Sequence, residues 1–238
     1  MSLSKTSTTY YEYILAVAHF FGFVTVTLNG YFFNTYNDGI SWPVKNNGSK
    51  GSQFHGFLMV LGFIFFQGEA LLSYRVYRYE PKIISKLIHG LLHIMALGLG
   101  ITSLVAIIIN KNLNNYGHFY SIHSWIGVSL LTVYIIQFSF GFSTFLLPCC
   151  PGSYRARLIP LHRAIGASLL ILACIQCVVG YVTILNGAPE CFKNLSCQNR
   201  MEYVASFSIL TMILYSLLVL ALIIPQSWRR QKTPDEIK

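Results

Sequence analysis

The sequence predicts an all-α membrane protein of six transmembrane helices, and three observations carry that expectation. Of the 238 residues, 54% are hydrophobic and 11% charged, whereas a soluble domain averages about 25% charged residues. Mean hydropathy is +0.54. The apolar residues collect in six stretches, about 13–33, 54–74, 87–109, 122–147, 158–185 and 203–224, each near the roughly 20 residues that cross a bilayer core of about 30 Å. Short loops join them, so residues 1–238 read as one transmembrane domain with its backbone polar groups satisfied inside helices.

The first stretch holds an A-x-A pattern at Ala16 and Ala18, but its apolar run continues past them and only Lys5 precedes it. It is therefore expected to stay as a helix rather than act as a cleaved signal. With the N-terminus in the cytosol, the inner loops and tails hold Lys5, Arg75, Arg78, Lys82, Lys86, Arg155, Arg157, Arg163, Arg229, Arg230, Lys232 and Lys238. The outer loops hold Lys45, Lys50, Lys111, Lys193 and Arg200. Twelve against five follows the positive-inside rule and puts both termini in the cytosol. Topology thus accounts for the net charge of +9, and no nucleic-acid partner is expected. Three outer-loop signals agree. Asn47-Gly48-Ser49 and Asn194-Leu195-Ser196 are glycosylation sequons, and Cys191 and Cys197 lie where an oxidising compartment would permit a disulfide. Cys174 and Cys177, inside the fifth stretch, read as small buried residues. Cys149 and Cys150, at the cytosolic end of the fourth, are candidates for palmitoylation.

His55, His89, His123 and His162 each sit near the start of a separate stretch. Consecutive membrane helices run in opposite directions, so His55 and His123 approach the outer face and His89 and His162 the cytosolic face. An imidazole inside a bilayer is costly and normally has a partner or a function. Two same-side pairs are what two bis-imidazole haems require. His19 and His93 read as hydrogen-bonded to neighbouring helices, although His93, one turn deeper than His89, is the rival ligand. The pattern H-x3-G-x13-G occurs twice, as His123-Gly127-Gly141 and His162-Gly166-Gly180. Position +18 is five helical turns on, about 27 Å along the axis and on the same face. Each distal glycine therefore lines the inward face where the other haem would sit, giving clearance for a flat macrocycle; small-residue helix packing is the alternative. Zinc suits these pairs poorly, because it gathers about four ligands close together. No C-x-x-C-H attachment signal is present, so the haems would be noncovalent and b-type. Iron held by two imidazoles has no open position and passes single electrons.

Lys82 and Lys86 share a face at the start of the third stretch, where cations oppose the helix dipole. With Arg155 and Arg75 they are expected to converge on a cytosolic rim that binds a small anionic reductant or a haem propionate. The outer rim, Asn110 to Tyr120, is polar and aromatic, and its Asn110, Lys111, His118 and Tyr120 suit a small oxygen-rich molecule. Glu69 is the one acidic residue deep in a span; it either bonds to a neighbouring helix or tunes the cytosolic haem.

The stretches FHGFLMVLGFIFFQGEALLSYR, KLIHGLL, HFYSIHSWIGV and RARLIPLHRAIG strongly resemble the cytochrome b561 family of transmembrane ascorbate-dependent oxidoreductases. The resemblance covers the second to fifth helices and extends less clearly into the first and sixth. It implies a central four-helix bundle holding two haems b, with His55 and His123 on the non-cytosolic haem and His89 and His162 on the cytosolic one. It also implies that Lys82, Lys86 and Arg155 bind cytosolic ascorbate, that Arg75 matches the arginine ending the second helix, that Tyr120 lies at the outer site, and that the protein is a homodimer. Lys111 stands where duodenal-type and plant members carry histidine, and His118 where they carry asparagine, which leaves the outer substrate open. Gly56 stands where proline is usual, a change expected to matter little. No soluble electron-accepting or catecholamine-binding domain is expected. The reading is electron transfer from ascorbate to monodehydroascorbate or a ferric chelate across an endomembrane vesicle, lysosomal or plasma membrane. The alternative is a di-haem relay subunit without its own ascorbate site.

Overall fold

The computed structural model describes residues 5–36, 39–45, 50–147, 150–186 and 189–230. The Asn47 sequon and Cys149 lie outside them. Among the described residues six long helices follow in order: α1 Lys5–Thr35, α2 Lys50–Val76, α3 Lys82–Leu113, α4 Ile122–Leu146, α5 Gly152–Leu185 and α6 Met201–Ile223. Each is long and apolar enough to span a bilayer, and the described residues form no strand. The chain is an integral, multi-pass membrane protein. The helices overrun the apolar stretches at most ends, because helical hydrogen bonding continues into polar flanks where hydrophobicity stops.

Local chemistry sets several boundaries. Pro81 and Pro151 precede α3 and α5 with φ of −51° and −57°, a place where a fixed φ helps and the missing N–H costs nothing. Ser121 caps α4, its Oγ accepting from the Ser124 N–H at 3.3 Å. Beyond α3, Asn115 turns the chain with φ +54°. One feature had no sequence signal: α2 widens into a π-helical turn over Leu61–Phe66. There a Cβ on Gly62 would lie 3.0 Å from the Ala96 carbonyl, so α2 and α3 are in close backbone contact. The wide turn rotates the second half of α2 relative to the first, as such turns do near functional sites.

α2 packs along α3 and α4 along α5, and α2 also touches α5, α1 and α6. The result is the expected α2–α5 core, with α1 and α6 paired on the outer side of α2. We call the face that carries the starts of α1, α3 and α5 the near face, and its opposite the far face. Phe63, Ala96, Leu131, Tyr134 and Leu169 fill the middle of the core. Tyr11, Ile64, Leu170, Met212 and Tyr215 tie α1, α2, α5 and α6 together in the near half, and Phe32, Phe33, Tyr181 and Met201 in the far half. Phe20, Leu91, Ile136 and Leu217 are exposed, as lipid-facing residues are. A Cβ on Gly56 would lie 2.6 Å from the Phe33 ring, so α1 packs closely against α2 at this glycine.

The α1–α6 seam supplies a direct test. A Cβ on Gly22 would lie 2.9 Å from Cε2 of Tyr215. Gly22→Leu is expected to cost about 1–3 kcal/mol, the usual penalty for overpacking, read as a lower thermal-unfolding midpoint in detergent. Gly98→Ala, with nothing within 4 Å of its Cβ position, should not lower that midpoint.

Candidate functional site

The core brings the four histidines together as two pairs. His55 on α2 faces His123 on α4 in the far half, with ring centroids 6.3 Å apart and planes at 83°. His89 on α3 faces His162 on α5 in the near half, also at 6.3 Å, with planes at 66°. A metal–imidazole nitrogen bond is about 2 Å and the nitrogen lies about 1 Å from its ring centre, so two rings trans on one metal have centroids roughly 6 Å apart. Both pairs have that spacing. Among the described residues no cluster of three or more His, Cys, Asp or Glu exists that could hold a bare metal ion. The donor set therefore suits a macrocycle-bound iron that needs only two axial nitrogens.

Each ring has its Nδ1 engaged by a neighbouring helix. Nδ1 of His89 donates to the Ala70 carbonyl at 2.7 Å, and Nδ1 of His55 sits 3.2 Å from the Ser103 carbonyl and 2.9 Å from its hydroxyl. His162 meets Nε2 of Gln137, 2.8 Å from its Nδ1 and 2.8 Å from its backbone oxygen. His123 meets Nε2 of Gln176 at 3.0 Å and 2.5 Å in the same way. The carbonyl contacts take the Nδ1–H of His89 and His55 and leave Nε2 for iron, while the two glutamine amides orient the rings of His162 and His123.

Sequence reasoning missed both glutamines, although a signal existed. Gln137 and Gln176 each stand fourteen residues after a histidine of the repeat, on nearly the same helical face as position +18. The full pattern is H-x3-G-x9-Q-x3-G, and it is reciprocal: α4 supplies the glutamine for the α5 histidine and α5 the one for α4. The distal glycines obey the same reciprocity. A Cβ on Gly141 would lie 2.9 Å from Cε1 of His162, and one on Gly180 would lie 3.1 Å from Cε1 of His123. Their nearest neighbour is thus the opposite imidazole, so the clearance serves the ligand ring. Gly127 makes room for the Gln176 amide.

Between the pairs, Phe63 meets Tyr134 edge-on at 4.8 Å, and the Tyr134 hydroxyl is 2.5 Å from Nδ1 of His93. His93 is therefore bonded to α4, as expected for a histidine outside the pairs. A cavity of about 330 Å³ runs from the far-face loop past His55 and His123 to Phe63, Tyr134 and Leu169, within the usual range of small-molecule sites of about 300–1,000 Å³.

The near rim differs from expectation at one residue. Lys82 and Arg155 each lie within electrostatic reach of Lys86, and Nζ of Lys86 donates to the Phe145 carbonyl at 2.6 Å. Arg75 does not join them. It is buried, and its Nη2 donates to the carbonyls of Ile223 and Pro225. The last carbonyls of α6 have no helical N–H partner, and Arg75 supplies one. At the far rim the cavity is lined by Lys111, Tyr116, His118, Phe119 and Tyr120. Nζ of Lys111 sits 4.8 Å above the Tyr120 ring, and Nε2 of His118 is 2.7 Å from Oδ1 of Asn112. Asn110 is a correction: it is 3% exposed and bonds to Ser52 and Asn114, stapling α2 to α3. Cys191 and Cys197 are joined by a disulfide on the far face, where Asn194 is exposed. Glu69 bonds to His19 on α1 and Tyr215 on α6.

An integral helix bundle with imidazoles facing in pairs has the form of a membrane-bound cytochrome. Residues 54–186 match the family of eukaryotic cytochrome b561. The transmembrane ascorbate-dependent reductase of Mus musculus is 33% identical over 229 residues, 94% of this chain and 87% of the mouse protein. The same-named protein of Homo sapiens is 39% identical over 163 residues, 68% of this chain and 62% of the human one. The lysosomal membrane ascorbate-dependent ferrireductase of Danio rerio is 28% identical over 233 residues, 95% and 92% of the two chains. This chain belongs to the eukaryotic cytochrome b561 family, whose cofactor is haem b.

The reciprocal glycines make a specific expectation. Gly141→Val, on α4, should displace His162 on α5 and disturb the near-face component of the reduced-minus-oxidised spectrum while sparing the far-face one. Gly180→Val should do the reverse. Redox titration of the purified variants separates the two.

Proposed function

We propose that this chain is an ascorbate-dependent transmembrane oxidoreductase that takes single electrons from cytosolic ascorbate at its near face and delivers them to monodehydroascorbate or a ferric chelate at its far face. The observation that carries the reading is the pair of imidazole couples, each spaced for one iron and stacked in opposite halves of one bundle. His89 and His162 would hold the near-face haem b, and His55 and His123 the far-face one. When bound, each haem supplies a one-electron couple with no open coordination position.

The chain's own residues supply the rest. Lys82, Lys86 and Arg155 gather positive charge at the near rim, and ascorbate is an enediolate anion at neutral pH. They hold that anion beside the His89–His162 pair, where the site accepts an electron and the proton leaves to water. Phe63, Tyr134 and His93 fill the space between the pairs and exclude water from it. The two pairs divide a core of about 30 Å into shorter steps. Lys111 and Tyr120 offer the acceptor a cation and an aromatic face at the far rim, with His118 beside them. The sidedness rests on the twelve-to-five excess of basic residues that the sequence assigns to the cytosolic loops and tails and on the far-face disulfide, which belongs in an oxidising compartment. The relatives named above are themselves called ascorbate-dependent reductases, and one is called a ferrireductase of the lysosomal membrane.

In sealed vesicles loaded with ascorbate, the near face inward, external ferric chelate or monodehydroascorbate should be reduced. Lys82→Ala combined with Arg155→Ala should slow that reduction at least tenfold while both haem components keep their absorption. An unchanged rate would point to the relay reading, in which another subunit delivers the electrons.

A further inference from the structure

Glu69 is a carboxyl placed inside the span, two turns from the near-face end of α2. Its Oε1 lies 3.2 Å from Nδ1 of His19 on α1 and 2.9 Å from the hydroxyl of Tyr215 on α6. That hydroxyl is also 3.2 Å from the Phe65 carbonyl, so its one hydrogen has two acceptors within reach. Gly68 lets the tyrosine lie against α2: a Cβ there would strike the Tyr215 ring at 2.7 Å. The tyrosine is fully buried. The role of this triad is separate from the two rims and from the imidazole pairs.

The same heavy-atom geometry accommodates two proton arrangements. In the first, Glu69 is ionised and accepts from both His19 Nδ1–H and the Tyr215 O–H. In the second, Glu69 carries the proton and donates it to the Tyr215 oxygen, and Tyr215 donates to the Phe65 carbonyl. Oε1 of Glu69, Nδ1 of His19 and the Tyr215 hydroxyl each keep a partner in both, so a proton can come or go without repacking. A carboxylate in hydrocarbon is normally expensive, and this cluster makes either form tolerable.

The triad is coupled to the near-face pair by the chain itself. Ala70, the next residue, accepts from Nδ1 of His89 at 2.7 Å. Consecutive Cα atoms are about 3.8 Å apart, so the short path through Ala70 keeps the carboxyl within roughly 13 Å of that Nδ1. At such a separation and an effective dielectric of about 20, one added negative charge favours protonation of a carboxyl several-fold. Of the other titratable groups on and around α2, Cys174 is paired with Ser216 and Cys177 lies beside Cys174, His93 is bonded to Tyr134, Arg75 to the Ile223 and Pro225 carbonyls and Tyr11 to the Arg75 carbonyl; His19 and Tyr215 bond to the carboxyl itself.

We propose that Glu69, clasped by His19 and Tyr215, is a redox-linked proton site: when an electron enters at the His89–His162 pair, the Glu69 carboxylate binds a proton, and it releases that proton when the electron moves on. The proposal rests on the haem reading above. The balance closes, since oxidation of a singly deprotonated ene-diol donor to its radical anion gives up one electron and one proton. The electron goes to the near-face site, a proton from the cytosolic pool forms the O–H bond on Glu69, and both are later surrendered.

The test is a redox titration of the purified, haem-loaded full chain at a series of pH values. Uptake of a proton on reduction makes the near-face midpoint potential fall as pH rises. Glu69→Gln, which keeps the shape and most hydrogen bonds, should remove the Glu69 share of that slope and leave the far-face component unchanged. The reduced-minus-oxidised infrared spectrum should show a protonated-carboxyl C=O band that is missing in Glu69→Gln. A slope and band identical in wild type and variant would overturn the proposal, as would a wild type with neither. Should Glu69→Gln fail to fold, Tyr215→Phe removes the alternative proton arrangement and is expected to shift the same band; an unshifted band overturns the proposal equally. Absence of any reducible b-type spectrum in the wild type would instead defeat the haem reading itself.

Discussion

An imidazole carried into hydrocarbon must find a partner for each ring nitrogen, and that constraint organises this bundle. Four times over, Nδ1 is engaged by a group from a neighbouring helix, which fixes the ring. The close contact of α2 with α3 puts the Ala70 and Ser103 carbonyls in reach of His89 and His55. The reciprocal α4–α5 contact does the same for His162 and His123 through two glutamine amides. Glycines follow from this arrangement: helices whose rings must pass so close to the opposing backbone have no room for a Cβ at Gly141 or Gly180.

The two halves of the core solve one problem by different means. α4 and α5 carry the same spaced pattern and run antiparallel, so each serves the other's ligand. α2 and α3 lack that pattern and use backbone carbonyls, helped by the π-helical turn at Leu61–Phe66 that resets the facing of the second half of α2. The residue Ala70 that receives His89 lies beyond that turn, and so does Glu69, whose links to α1 and α6 hold the far side of the same segment. The flanking helices thereby brace the part of α2 whose backbone orients His89.

Much of this was legible in the sequence for a physical reason. Membrane spans declare themselves locally, through composition and length, and antiparallel alternation then assigns each histidine to a face without any tertiary knowledge. What escaped was non-local. Arg75 looked like part of a cationic rim because its chain neighbours are basic, yet its partners are the Ile223 and Pro225 carbonyls at the end of α6. Asn110 sat within a polar loop in sequence but ends a helix in space, bonded to Ser52 and Asn114 and sealed from the rim. The importance of Gly56 depends on Phe33, which lies on α1. The glutamines are the instructive omission: they belong to the repeat that was read, but an amide inside a span is easily passed over until its partner histidine on the next helix is known.

The central claim is that four histidines form two six-coordinate iron sites, one in each half of the membrane. Electron paramagnetic resonance of the purified, oxidised protein, with spins counted against chain concentration, tests it most directly. The account predicts two low-spin ferric signals per chain, each from iron with two imidazole ligands. A single low-spin signal per chain, or a high-spin signal from iron with an open position, would contradict it.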